Sequence, residues 1–176
     1  MQRGRCEDLN MSGLQIMTYP APVLRKNSRC IRKFNESLQQ LVKEMFETMY
    51  EGGGVGLAAP QVGKSKKLIV IDTLEPGGRL ALANPKILWT SKETEPFNEG
   101  CLSLPGLEGE IVRPKEVRVR AQRPGDGEII TITADGLLAR VLQHEIDHLE
   151  GVLFIDYLND EERSSLEPAL REMEAA

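Results

Sequence analysis

The chain has 176 residues, 40% of them hydrophobic, and a formal net charge of −5. That length is enough for one globular unit with a proper core, and an acidic balance with no Lys/Arg block argues against binding free nucleic acid through its phosphates. No apolar run approaches the roughly 20 residues of a membrane span, "MQRGRCEDLNMSG" lacks a secretory apolar segment, and Cys6, Cys30 and Cys101 suggest no disulfide framework, so a cytoplasmic protein without membrane contact is expected.

Residues 1–10 read as an N-terminal extension, expected to be disordered, with Met11 a candidate initiator and 11–176 a single domain. The first clear element is "ESLQQLVKEMFETMY", where Leu38, Leu41, Val42, Met45, Phe46 and Met49 recur at helical spacing between a capping Asn35 and a stop at Gly52 to Gly54. "GGGVGLAAPQVG" follows. No Lys-Ser/Thr closes it and no strand precedes it, so it is no phosphate loop; its glycines suit close backbone approach to an extended ligand, and Gln61 offers an amide donor. "KKLIVID", "LALANP", "KEVRVRA" and "EIITITA" are short alternating or β-branched runs, expected to form antiparallel strands. Between them "EGCLSLPG" reads as turn-rich chain that brings Cys101 close to a site.

"ADGLLARVLQHEIDHLEG" returns to helical period and stops at Gly151; "VLFIDY" is expected to be a further strand, and "DEERSSLEPALREMEAA" a helix that Pro168 kinks or splits. The fold class is α+β: small antiparallel sheets packed around a central helix carrying "HEIDH", with a C-terminal helix.

His144 and His148 are the two histidines of the chain, and four residues apart on a helix they face the same way, with Glu145 beside them. That is the pattern of a two-histidine metal site; a histidine-bearing solvent face is the plainer alternative. A catalytic ion normally takes three protein ligands. The metzincin pattern would supply a histidine where this chain has Phe154, a thermolysin-like site would use a later carboxylate such as Glu167, and Cys101 is the upstream candidate. Spacing alone does not decide among them. An ordinary zinc endopeptidase and a purely structural metal site are the rival readings.

"GVGLAAPQ", "EGCLS" and "QHEIDHLEG", in that order, resemble the three motifs of the peptide deformylases, and the similarity runs from "MTYPAPVLR" to "FIDYL". The short gaps between them are similar to the bacterial type I group. The resemblance implies a single catalytic metallohydrolase domain that removes the formyl group from the initiator methionine of nascent polypeptides and releases formate. It also implies Cys101, His144 and His148 as metal ligands, Glu145 as general acid/base, and Gln61 with the backbone N–H of Leu102 as oxyanion donors. Gly56 would pair with the peptide backbone, and Val55, Phe97, Glu99, Gly100, Leu137, Val141 and His144 would line the methionine pocket. Fe²⁺ is the expected ion, with Zn²⁺, Ni²⁺ or Co²⁺ able to substitute, and the ribosome is an expected transient partner. Two departures from the family pattern stand out: Glu108 in place of a frequent arginine, and Gly53 in place of a frequent acidic residue.

Overall fold

The computed structural model describes residues 13–176, so the expectations of an extension over 1–10 and of a start at Met11 lie outside the described residues. The first long helix, α1 (Glu36–Glu51), starts at Asn35, whose side chain accepts a hydrogen bond from the Leu38 N–H at 3.1 Å. Its Leu41, Met45 and Met49 are buried, as the spacing requires.

Seven strands follow in two sheets. Strands β1 (Gly56–Ala58), β2 (Leu68–Asp72) and β3 (Arg79–Thr90) precede a separate hairpin, β4 (Thr94–Cys101) with β5 (Leu104–Pro114). The chain then returns with β6 (Val117–Gln122) and β7 (Ile129–Ala134), giving an antiparallel sheet in the order β1-β2-β3-β6-β7. Helix α2 (Gly136–Leu149) packs Leu142 and Ile146 on one face of that sheet against Ile69, Ile71, Leu82 and Val119. Helix α1 covers the opposite face over β1 and β2, against Leu57, Leu68 and Val70. A third apolar cluster lies under the hairpin, where Leu104 and Ile111 meet Leu24, Phe154 and Ile155 and the inner side of α3 (Asp160–Ala175).

An N-terminal strap ties the ends of the fold together. The Met17 N–H donates to the Gln61 carbonyl at 2.7 Å, the Ser28 N–H to the Leu149 carbonyl at 2.8 Å, and Arg25 forks onto Asp156 at 2.6 and 3.1 Å. Gly151 ends α2 with a left-handed φ of 76°, and a Cβ there would lie 2.7 Å from the Arg25 backbone. Glycine is required at this position twice over.

Four expectations change. "VLFIDY" forms a 3-10 turn at Phe154–Asp156, because Asp156 accepts from the Leu153 N–H at 2.9 Å and is held by Arg25, while Phe154 and Ile155 fill the hairpin core. Pro168 does not split the tail. It sits on the exposed side of α3, where the Ser164 carbonyl that loses its partner is open to water and Leu166, Leu170 and Met173 still pack inward. "LALANP" is the first half of a longer strand, since a register shift between Ala83 and Lys86 absorbs Pro85. The "EGC" segment is strand and tight hairpin end rather than loose turns.

Candidate active site

Helix α2 turns His144 and His148 toward the end of β4, with ring centroids 5.0 Å apart. Cys101, the last residue of β4, brings its Sγ to 3.3 Å from His148 Nε2, and the ligating atoms of the three residues all lie within 4.8 Å of one another. Among the described residues this is the one cluster of that kind. Glu167 is not part of it, being on α3 and 3.1 Å from Arg171, and Phe154 is core. One thiolate and two imidazoles in a largely buried cluster fit a divalent transition ion. His144 is also oriented for it: Nδ1 is 2.9 Å from Glu99 Oε2, an outer carboxylate of the sort that fixes a ligating imidazole.

Glu99 is the hub of a buried ion network. Arg113 from β5 grips it bidentately at 2.6 and 3.0 Å, Arg140 from α2 adds a bond at 3.0 Å, and Arg113 also reaches Asp147 at 2.7 Å. Tyr157 donates to Asp147 at 2.8 Å. Burial alone would push the Glu99 carboxyl up, but the hydrogen bonds from His144 and Arg113 outweigh it and hold it down at about 2. Burial likewise lowers His144, yet Cys101 and Glu99 beside it win and raise it to about 10, so binding a cation there would release a proton. His148 is lowered, first by burial and then by the neighbouring His144.

Glu145 has different surroundings. Its Oε2 is buried with no hydrogen-bond partner among the described residues, and burial raises the carboxyl to about 7. It lies directly against Gly56, where any Cβ would meet Glu145 Oε1 and come within 2.7 Å of Val141 Cγ1. That contact explains the glycine. Gln61, 1% exposed, has a fixed amide: Oε1 accepts from the Ala58 N–H at 2.8 Å, leaving Nε2 3.2 Å from Ser103 Oγ and 3.5 Å from Cys101 Sγ.

A cleft of about 500 Å³ opens over these groups. Val55, Gly56 and Gln61 form one wall, Phe97, Glu99, Gly100, Cys101 and Leu102 of the hairpin another, and Leu137, Val141, His144 and Glu145 of α2 the base. Every expected site residue lines it except His148, which lies beneath at 1% exposure.

The polypeptide deformylase family model matches residues 14–164. The chain belongs to that family. It is 49% identical to the peptide deformylase of Natranaerobius thermophilus over 81% of this chain and 90% of that one. It is 45% identical to peptide deformylase 1B, chloroplastic/mitochondrial, of Arabidopsis thaliana over 92% of this chain, which spans 60% of that relative's length. A crystal structure of the Arabidopsis 1B enzyme with an inhibitor superimposes with a TM-score of 0.87 at 44% identity, covering 92% of this chain and 91% of that one. The fold is thus the deformylase fold, and the activity is metal-dependent hydrolysis of the N-formyl group of formyl-methionyl polypeptides.

Several residues of this deformylase site escaped sequence reasoning. Arg113, Arg140, Asp147 and Ser103 touch groups of the site without belonging to a metal or nucleophile pattern. One signal was available. Arg140 lies four residues before His144 on the helix and so shares its face, and Arg113 sits at an inward position of an alternating strand.

Proposed function

We propose that Cys101, His144 and His148 hold the metal ion, Fe²⁺ in the cell, and that Glu145 is the general acid/base of deformylation. The observation that carries this reading is the partnerless Glu145 carboxyl at the base of the cleft, beside the three-ligand cluster and raised to about 7. A carboxyl in that range takes and returns a proton with little penalty either way. When bound, the cation acts as a Lewis acid that polarises the formyl carbonyl and acidifies water.

Glu145 accepts the proton of the attacking water at a carboxylate oxygen and delivers it to the departing amine nitrogen. Gln61 Nε2 and the Leu102 backbone N–H donate to the oxygen that becomes negative, each worth roughly 3 kcal/mol in such sites. The fixed amide supports that role, because the bond from Ala58 leaves the NH₂ end facing Cys101. Phe97, Leu137 and Val141 give the methionine side chain an apolar berth. β1 is the edge strand of its sheet and Gly56 lines the cleft, so an extended peptide can pair its backbone there.

The same reading treats residues 11–176 as one catalytic domain working in the cytoplasm, with the ribosome a transient partner. No helix among the described residues is long and apolar enough to cross a membrane, which is consistent with that setting. Zn²⁺, Ni²⁺ or Co²⁺ can replace iron in a thiolate and imidazole set, and Ni²⁺ and Zn²⁺ bind more tightly by the divalent affinity order. Formate release from formyl-Met-Ala-Ser tests the proposal, with protein loaded anaerobically with iron and in parallel with zinc. Fast release by the iron form that decays in air is expected; equal rates for the two forms would exclude iron as the preferred ion.

A further inference from the structure

The charged side chains around the cleft are unevenly placed. Glu99 and Arg140 are buried and paired in the ion network, and Glu145 is buried at the base of the cleft. Glu108 is different: it lines the cleft and is exposed. It stands opposite Gly100 in the β4–β5 register, and its Cγ lies 3.7 Å from where a Cβ on Gly100 would be. With no side chain at residue 100, the Glu108 stem lies over the strand end that leads directly into Cys101. Asn98 donates to Glu108 Oε2 at 2.6 Å and fixes the carboxylate, and among the described residues no cation pairs with it. Glu110, opposite Asn98 and likewise exposed, adds a second negative charge on that side of the hairpin.

Resting on the deformylase reading, we infer that Glu108 is a specificity-determining residue that favours peptides with a lysine or arginine shortly after the formyl-methionine. The formyl end must reach the Cys101–His144–His148 cluster, so the rest of the peptide leaves through the mouth that Gly100, Gly106 and Glu108 border. A cation on that path meets an oriented carboxylate, and an anion meets repulsion. Both charges are solvent-accessible, so the effect is moderate and screened by salt.

The test compares formyl-Met-Ala-Lys, formyl-Met-Ala-Gln and formyl-Met-Ala-Glu as substrates of the metal-loaded enzyme, wild type, Glu108→Gln and Glu108→Lys. At low ionic strength kcat/KM should fall in that order by about fivefold from first to last, carried by KM. The ratio should collapse toward one in 0.5 M salt (about three times shorter screening length than at low salt) and in Glu108→Gln, and invert in Glu108→Lys. Equal rates for the lysine and glutamate peptides on wild type would overturn the inference and leave the deformylase reading intact. A lysine preference that survives in Glu108→Gln would overturn it too, by assigning the charge to another group. No formate from any of the three would overturn the reading beneath it as well.

Discussion

The five-stranded sheet and the β4–β5 hairpin both pack on α2, but they are joined to it by opposite chemistry. On the sheet side Ile69, Ile71, Leu82 and Val119 meet Leu142 and Ile146, an aliphatic joint with no directional bond. On the hairpin side Glu99 and Arg113 meet Arg140, His144 and Asp147 through charge-assisted hydrogen bonds of 2.7 to 3.0 Å. Aliphatic contact sets how close two elements lie, whereas a forked guanidinium also sets their rotation and register. The candidate metal cluster straddles the second joint: two of its side chains come from the helix and the third from the hairpin. Buried ion networks are a weak source of stability, and the gain expected here is a fixed position for Cys101, two residues along β4 from Glu99.

The cleanest break separates the chemistry from both joints. Glu145→Gln should lower kcat by about 10²–10⁴-fold, while urea unfolding and bound metal stay at wild-type values, because the lost charge had no protein partner. Turnover near wild type would remove Glu145 from the reaction. Next in size is the ligand on the hairpin: Cys101→Ala should weaken metal binding by more than the roughly 10–100-fold that loss of an outer partner produces. Competition against a metal-sensitive dye measures it, and stoichiometric tight metal in the variant would place the third ligand elsewhere.

The two joints can then be set against each other. Arg113→Met leaves Asp147 without its cation and Glu99 with Arg140 alone, and should cost about 3–5 kcal/mol in chemical denaturation, with weaker metal retention in the folded protein. Ile69→Ala should cost about 2–5 kcal/mol and leave the metal affinity of the folded fraction unchanged. If both variants hold metal equally well, the ionic joint does not position Cys101.

Acid sharpens the same contrast. Glu99 has its folded-state value depressed to about 2 from 4.5, so its stabilising effect is complete above the higher value and is lost as pH falls toward the lower. The difference in unfolding midpoint between wild type and Glu99→Gln should therefore narrow between about pH 5 and about pH 3, with no such narrowing for Ile69→Ala. A constant gap would mean that the carboxylate is not held ionised by the network. The smallest expected effect concerns α3, whose acids outnumber its two arginines, Arg163 and Arg171. Replacing Glu161, Glu162 and Glu172 by glutamine should leave co-sedimentation with ribosomes at low salt unchanged within about twofold, because an acidic helix is repelled by phosphate. A large gain would show that the tail approaches the ribosomal surface.

The same contrast explains what the sequence disclosed. α1, α2 and the strands of the large sheet follow apolar periodicity, so their existence and inward faces were legible from Leu38 to Leu149. The hairpin was not, because its inward positions hold Glu99, Cys101 and Arg113 where a pattern search looks for apolar residues. For that reason the third metal ligand stayed open on spacing alone: the local "EGC" and "LPG" chemistry leaned toward Cys101, and the motif resemblance strengthened that reading. "VLFIDY" misled in the opposite sense: its β-branched composition suits a strand, but the carboxylate of Asp156 caps its own turn and binds Arg25 across the chain.

The N-terminal strap has a consequence for biosynthesis. Ser28 bonds to the end of α2, Arg25 to Asp156, and Tyr19 to Glu174, residues 121, 131 and 155 positions further along the chain. An early piece of the chain is therefore fastened by pieces synthesised much later. Until translation has passed Leu149 and released enough chain for Asp156 to clear the exit, the strap can dock on Gln61 and Ser103 but not on the end of α2 or on Asp156. A newly made copy can complete the strap only after the helix that carries both histidines has been made.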